Sequence, residues 1–268
     1  MNTVLVQEVK RYNNLLDVMI ATLPEVQKAL KGLVVMSSEL DAMSTSMYNQ
    51  WVPEAWESRA YPSLKPLAAW TTELLERLDF LQTWIDDGLP ASYWISGFFF
   101  PQAFTTGILQ NYARKLQLPI DTLSFDFLVR DEFDDLAKDI AAKPQDGAYI
   151  YGLFLEGSRW CKETHVLADS MPKELYSRMC VIHLSPVQGR QDTMTNIYRC
   201  PVYKVLTRAG TLSTTGHSTN FVMWMEIPSA EPTIFRKALV SETNRAVEFA
   251  DAEHWIKGGV ACFCSLRY

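Results

Sequence analysis

Residues 212–221, LSTTGHSTNF, set His217 beside Ser218, the pairing from which a serine nucleophile and its base could be made. The spacing is wrong for that chemistry. A nucleophile elbow needs G-x-S-x-G, and Asn220 stands where the second glycine belongs. Neighbouring residues also rarely face one another well enough for an imidazole to take a hydroxyl proton. His183, on a predicted strand, is the alternative base to His217. The bland reading is a polar turn in which Ser213, Thr214, Thr215, Ser218 and Thr219 satisfy local backbone groups. The five cysteines are Cys161, Cys180, Cys200, Cys262 and Cys264. Cys262 and Cys264 share one face of a strand, but with His254 they do not make a tetrahedral metal set, since no second C-x-x-C or H-x-x-x-H accompanies them. They read as small residues on an inner face. Asp131, Glu132, Asp134 and Asp135 form a run, which is ordinarily a solvated face. Glu156 and Arg159 could form a buried structural ion pair. Neither G-x-x-x-x-G-K-[ST] nor G-x-G-x-x-G occurs, so the known phosphate-cradling motifs are absent. These residues assign no catalytic group, no cofactor and no metal.

Charge excludes further classes. A net charge of −6 and a pI near 5.3, with no Lys/Arg run, give no footprint for nucleic acid or for an anionic membrane. The longest apolar run, residues 94–101, is far short of the roughly 20 residues that cross a bilayer. The N-terminal residues lack a secretory pattern, and an odd cysteine count fits free thiols in a reducing compartment. With 48% hydrophobic residues, eight Trp, eleven Tyr and thirteen Phe, the sequence has ample material for a core and for packed interfaces.

The elements that position these residues fall into two blocks. Leu5, Val9, Tyr12, Leu16, Met19 and Leu23 recur at spacings of four and three, predicting a helix of about six turns that Pro24 interrupts. The repeat opens at Met1 without a capping residue, so the helix is expected to begin further upstream. A second helix is predicted over 64–87, capped by Ser63, with Pro66 in its first turn and Gly88 as its stop. Its apolar face is Leu67, Trp70, Leu74, Leu78, Leu81 and Ile85, with Glu73 and Arg77 pairing on the wet side. A third helix follows Pro101. Beyond Pro119 the period becomes two, predicting strands over 123–129, 147–157, 180–184, 197–206, 220–227 and 260–267. The expected fold is α+β: an α-helical part over 1–120, then over 121–268 a small antiparallel barrel or sandwich of about six strands.

Several stretches together resemble the C-terminal domain of dynein heavy chains, in wording closer to the axonemal branch than to the cytoplasmic one. They include LKGLVVMSSEL (30–40), WVPEAW (51–56), the long run 61–115 beginning YPSLKPL, DGAYIYGLFLEGSRW (146–160), CPVYKVLTRAG (200–210), LSTTGHSTNFV (212–222) and EHWIKGGVACFC (253–264). Gly258 stands where the pattern expects Arg, which leaves the partners of the last strand open. The resemblance implies a domain without catalytic residues that follows the last AAA+ module of a ring motor. It would brace the ring and tune force or processivity, with ATP hydrolysed elsewhere. Its partners would be the AAA+ modules of the same polypeptide and, only through the whole motor, the microtubule. Its place would be the cytoplasm and cytoskeleton, in the axoneme of a cilium or flagellum. The contact candidates are Trp56, Trp94, Phe98, Phe99 and Phe100, the last three in an apolar loop ahead of a helix. Two other classes remain: a hydrolase using Ser218 with His217 or His183, and a ligand-carrying β-barrel, provided that Tyr149, Phe154, Tyr203 and Trp224 do not fill its interior.

Overall fold

The computed structural model describes residues 1–131, 140, 142–189, 197–208, 220–229 and 252–267. The chain opens with α1, Asn2–Leu30, one continuous helix. Pro24 does not interrupt it, because the residue lies on the exposed side, where the freed carbonyl of the preceding turn faces water. The buried line is Val4, Glu8, Tyr12, Leu15, Val26 and Ala29, turned one position from the apolar stripe expected from sequence. Leu23 is exposed and Leu5, Val9 and Leu16 are half-buried. Helix α2, Ser38–Tyr48, is capped by Ser37, whose hydroxyl accepts the amide of Leu40 at 3.3 Å. The short α3, Glu54–Glu57, follows Pro53.

Helix α4, Leu67–Asp87, begins after Pro66 rather than at residue 64, and Gly88, at φ 82°, ends it. Its inner face is Trp70, Glu73, Leu74, Arg77, Leu81 and Trp84. Glu73 and Arg77 are therefore inside, not on the wet side, and Ile85 is exposed. Strand β1, Ser92–Trp94, and a 3-10 turn, Ile95–Gly97, lead to α5, Pro101–Leu116, whose proline occupies the first turn, where a missing N–H costs nothing.

The α+β class holds, but of the two expected forms, a small antiparallel barrel or sandwich of about six strands, the barrel is not what the described strands make. The described residues form eleven short strands in three sheets, none closed into a barrel. The first has the order β1, β3 (Ala148–Tyr151), β8 (Val181–Gln188), β2 (Leu123–Arg130). The second has the order β10 (Phe221–Pro228), β9 (Ile197–Tyr203), β11 (Ala261–Phe263), β4 (Phe154–Glu156), β7 (Tyr176–Arg178). A hairpin of β5 (Ser158–Cys161) and β6 (Val166–Asp169) is the third. Two pairings are parallel, β1 with β3 and β11 with β9.

Glycine explains the division. The stretch 147–157 reads as one strand, yet Gly152 at φ 90° and Gly157 at φ 75° break it, so that β3, β4 and β5 each enter a different sheet. At Gly152 an added Cβ would also lie 2.4 Å from the Trp94 ring. Strand β1 carries residues 92–94 into the first sheet, and α5 packs on β2 and β8 of that sheet and on β10 of the second. One continuous core, from Val4 to Cys264, therefore runs through the helix-rich and strand-rich parts. Helix α6, Ala252–Lys257, leads into β11.

Candidate functional site

The buried line of α1 carries a carboxylate into the core. Glu8 has no exposed surface, and the amides of Phe99 and Phe100, just ahead of α5, donate to its oxygens at 2.5 and 3.0 Å. Burial raises its pKa, and those two amides, then Arg11 and Lys204, act in the opposite direction. One turn along, the buried Tyr12 hydroxyl donates to the Gly97 carbonyl at 2.7 Å. From the strand-rich part, Lys204, just after β9, donates to the Phe99 carbonyl at 2.7 Å. The loop 97–100 is thus gripped by α1 on one side and by the end of β9 on the other. Arg77 of α4 completes the joint. It donates from Nε and Nη2 to one oxygen of Glu73 at 3.1 and 2.5 Å, reaches Tyr12 Oη at 3.4 Å, and lies 3.7 Å over the Tyr61 ring. Lys65 Nζ lies 3.0 Å from the other Glu73 oxygen.

The electrostatics follow from this geometry. Burial alone would raise Glu73, but the Arg77 charge and its hydrogen bonds, with Lys65, hold the carboxyl below its ordinary range. Burial works against the charge on Arg77 as well, and Tyr12, Glu73 and Tyr61 outweigh it, so its pKa rises. Burial pushes Tyr12 up to about 12 and draws Lys204 down to about 8. The charged groups of the joint are each engaged by hydrogen-bond partners from other elements. Its chemistry is that of a lock.

The five expected contact residues sit around this lock. Trp56, Phe98 and Phe99 are buried and Trp94 and Phe100 half-buried. Trp56 stacks on Trp70 and donates to Thr22 Oγ1 of α1 at 2.9 Å. Phe98 stacks on Phe104 with ring centroids 4.6 Å apart, and Phe99 meets Tyr12 edge-on at 4.8 Å. Phe100 lies beneath Arg11, 5.3 Å from ring centroid to guanidinium, and Trp94 meets Phe80 edge-on. The three consecutive phenylalanines point to three surroundings within this molecule rather than forming one outer patch. Sequence reasoning missed Glu8, Tyr12 and Lys204 as a group. The available signal was the charged Glu8 interrupting an otherwise apolar helical stripe.

The other chemical candidates separate. His217, Ser218 and most of the acidic run (Glu132, Asp134 and Asp135) lie outside the described residues. His183, on β8, holds the Asp146 carbonyl at 2.8 Å through Nε2, which commits that nitrogen to donating. Glu156 pairs with Arg208, not with Arg159 as expected, because β5 leaves the sheet at Gly157. Cys200 and Cys262 are buried with their sulfurs 3.6 Å apart, and Cys264 is buried nearby. Among the described residues no three His, Cys, Asp or Glu side chains group as a metal set. A carrier needs an empty barrel, and the described strands close none; of its four proposed fillers Tyr149 is buried and Trp224 exposed.

The opposite arrangement occurs at the α1–α2 hairpin. Leu33 and Val35 in the connector and Tyr48 and Trp51 at the far end of α2 are largely exposed, Val35 at 90% and Tyr48 at 88%. Helix α2 buries Met43 alone among its described residues. An open cleft of about 870 Å³ beside Trp51 is lined by Asn49, Glu57, Leu64, Lys65 and Arg267 among others.

Exposed apolar side chains at both ends of α2 and an internal lock suit a module built into something larger, and comparison with known proteins agrees. The family profile for the C-terminal domain of the dynein heavy chain matches residues 1–264. The protein belongs to this family. Human dynein axonemal heavy chain 1 is 56% identical over 268 residues, all of this sequence and 6% of that protein. Human dynein axonemal heavy chain 12 is 46% identical over 267 residues, 99% of this sequence and 8% of that one, and human dynein axonemal heavy chain 3 is 45% identical over 266 residues, 99% and 6%. The dynein C-terminal domain described here thus spans less than a tenth of the length of these curated relatives. At Gly258 an Arg was expected from sequence. The strand whose partners that departure left open, β11, pairs with β4 and β9.

Proposed function

We propose that the protein is the C-terminal, non-catalytic domain of an axonemal dynein heavy chain, that it packs against AAA+ modules of the same motor, and that it tunes the motor's force or processivity. Its place is then the axoneme of a cilium or flagellum, within the cytoskeleton, with the microtubule reached only through other parts of the motor. The observation that carries this reading is similarity along the whole of this sequence to a small part of axonemal heavy chains, joined to the exposed Leu33, Val35, Tyr48 and Trp51. Apolar side chains of this size held in water are what a neighbouring module would cover. Trp56, Trp94, Phe98, Phe99 and Phe100 serve that contact from behind, by fixing α1, α3 and the loop 97–100 so that the hairpin presents a rigid face.

The test is a full motor with Val35→Ser, Tyr48→Ser and Trp51→Ser together in its heavy chain. The expected result is altered microtubule-gliding speed or stall force, with the fold of the domain unchanged by circular dichroism. Unaltered gliding and force would sink the ring-packing reading. Hydrolysis of ATP by the 268-residue polypeptide alone would sink the non-catalytic one.

A further inference from the structure

A small, partly open pocket adjoins the lock. The centre of a water-sized particle can range over about 10 Å³ there, so the space admits one water molecule or one ion somewhat larger. Its walls include Arg77 of α4, Lys204 after β9, Tyr61, and Ser96, Cys264 and Ser265, and they include no carboxylate. The two cations are not equally compensated. Arg77 is bound by Glu73 through two hydrogen bonds. Lys204 is buried, has three N–H donors, and spends one on the Phe99 carbonyl. Among the described residues no carboxylate oxygen comes within ion-pair distance of its Nζ. Glu8 acts on it through space, but both oxygens of Glu8 are already held by the Phe99 and Phe100 amides.

A buried ammonium with spare donors, beside a pocket that a second cation lines and no carboxylate does, is a site for a small anion. We infer that this pocket binds a single monovalent anion of halide class, held chiefly by Lys204, with the charge of Arg77 behind it. Because the walls come from α4, the turn before α5, the residue after β9 and the residues after β11, the bound ion would tie the helical and strand-rich parts together. Burial draws Lys204 down to about 8, as expected of an ammonium that no carboxylate touches.

The test uses this domain and two probes, chloride and bromide. Urea unfolding is followed in sodium chloride and in sodium gluconate at matched ionic strength, since gluconate is too large to enter. Above the dissociation constant, each tenfold rise in chloride is expected to raise the folded-to-unfolded ratio about tenfold. Gluconate should give no such slope, and Lys204→Met should lose the difference between the salts. Crystals grown in bromide provide a readout that does not depend on the variant folding. An anomalous peak within hydrogen-bond reach of Lys204 Nζ supports the site. Equal slopes in the two salts, or a pocket holding water only in bromide-grown crystals, would overturn it.

Discussion

The joint at Glu8, Glu73, Arg77 and Lys204 and the hairpin at Leu33 to Trp51 invert the usual arrangement in opposite senses. One places full charges in the core; the other leaves large apolar side chains in water. The charged groups inside are hydrogen-bonded to named partners, and the directionality of those bonds fixes how α1, α4, the loop 97–100 and the end of β9 meet. The apolar groups outside have no such partner within the described residues. A buried ionic cluster is weak evidence for stability, because apolar replacements of the same volume often do as well. Here it specifies one geometry of the joint. An exposed apolar stretch is a cost to an isolated domain and a reason to expect a neighbour.

The sharpest break in this contrast is Arg77→Met. It leaves Glu73 buried beside Lys65 alone, and about 3–5 kcal/mol of stability should be lost in urea unfolding. Adding Glu73→Leu should recover much of that loss, since the orphaned charge is gone. Glu8→Gln comes next. The amide oxygen can accept one of the two loop N–H groups, but its NH₂ opposes the other, so about 1–3 kcal/mol should be lost.

Acid offers a gentler probe. The folded-state pKa of Glu73 is lowered, so the unfolded polypeptide binds the proton more readily than the folded one. The stability this carboxylate provides is present above the ordinary value of 4.5 and is lost as pH falls through the depressed one. Glu8, raised instead, works in the opposite sense, and its ionisation costs stability as pH rises through its folded value. Glu8→Gln should therefore steepen the acid loss measured by urea midpoints, and Arg77→Met should flatten it. At the hairpin, Val35→Ser or Tyr48→Ser should shift the stability of the isolated domain by no more than about 0.5 kcal/mol, the ordinary range for surface sites. The hairpin is then separated from the joint by roughly an order of magnitude in its effect on folding.

Much of the helical part was legible in the sequence, because a 3.6-residue period survives without knowledge of neighbours. Which face is buried was less so. The Glu73–Arg77 spacing is the same on a wet face and inside; what decides is that Tyr12 and Tyr61 approach from elsewhere, which spacing cannot show. On α1 the charge of Glu8 displaced the apparent stripe by one position. The six predicted strand segments each hold strand, but β1, β5, β6 and β7 were missed, and so was the pairing. Cys262 beside Val202, in parallel register, is a contact across sixty residues that alternation does not encode. Gly152 and Gly157 were visible as glycines, yet their role as pivots follows only from the three sheets they separate. At the joint, resemblance and aromatic content led to Phe98, Phe99 and Phe100, while the groups that hold their backbone are charged.

Solvent access to residue 35 tests the central claim most directly. Val35→Cys would be labelled with a maleimide in the isolated domain and in the full heavy chain. If the hairpin is the face that neighbouring modules cover, labelling in the full heavy chain should be at least about tenfold slower than in the isolated domain, where Val35 is 90% exposed. Equal rates in the two would show that this face stays in water, and would contradict the division between an inner lock and an outer contact.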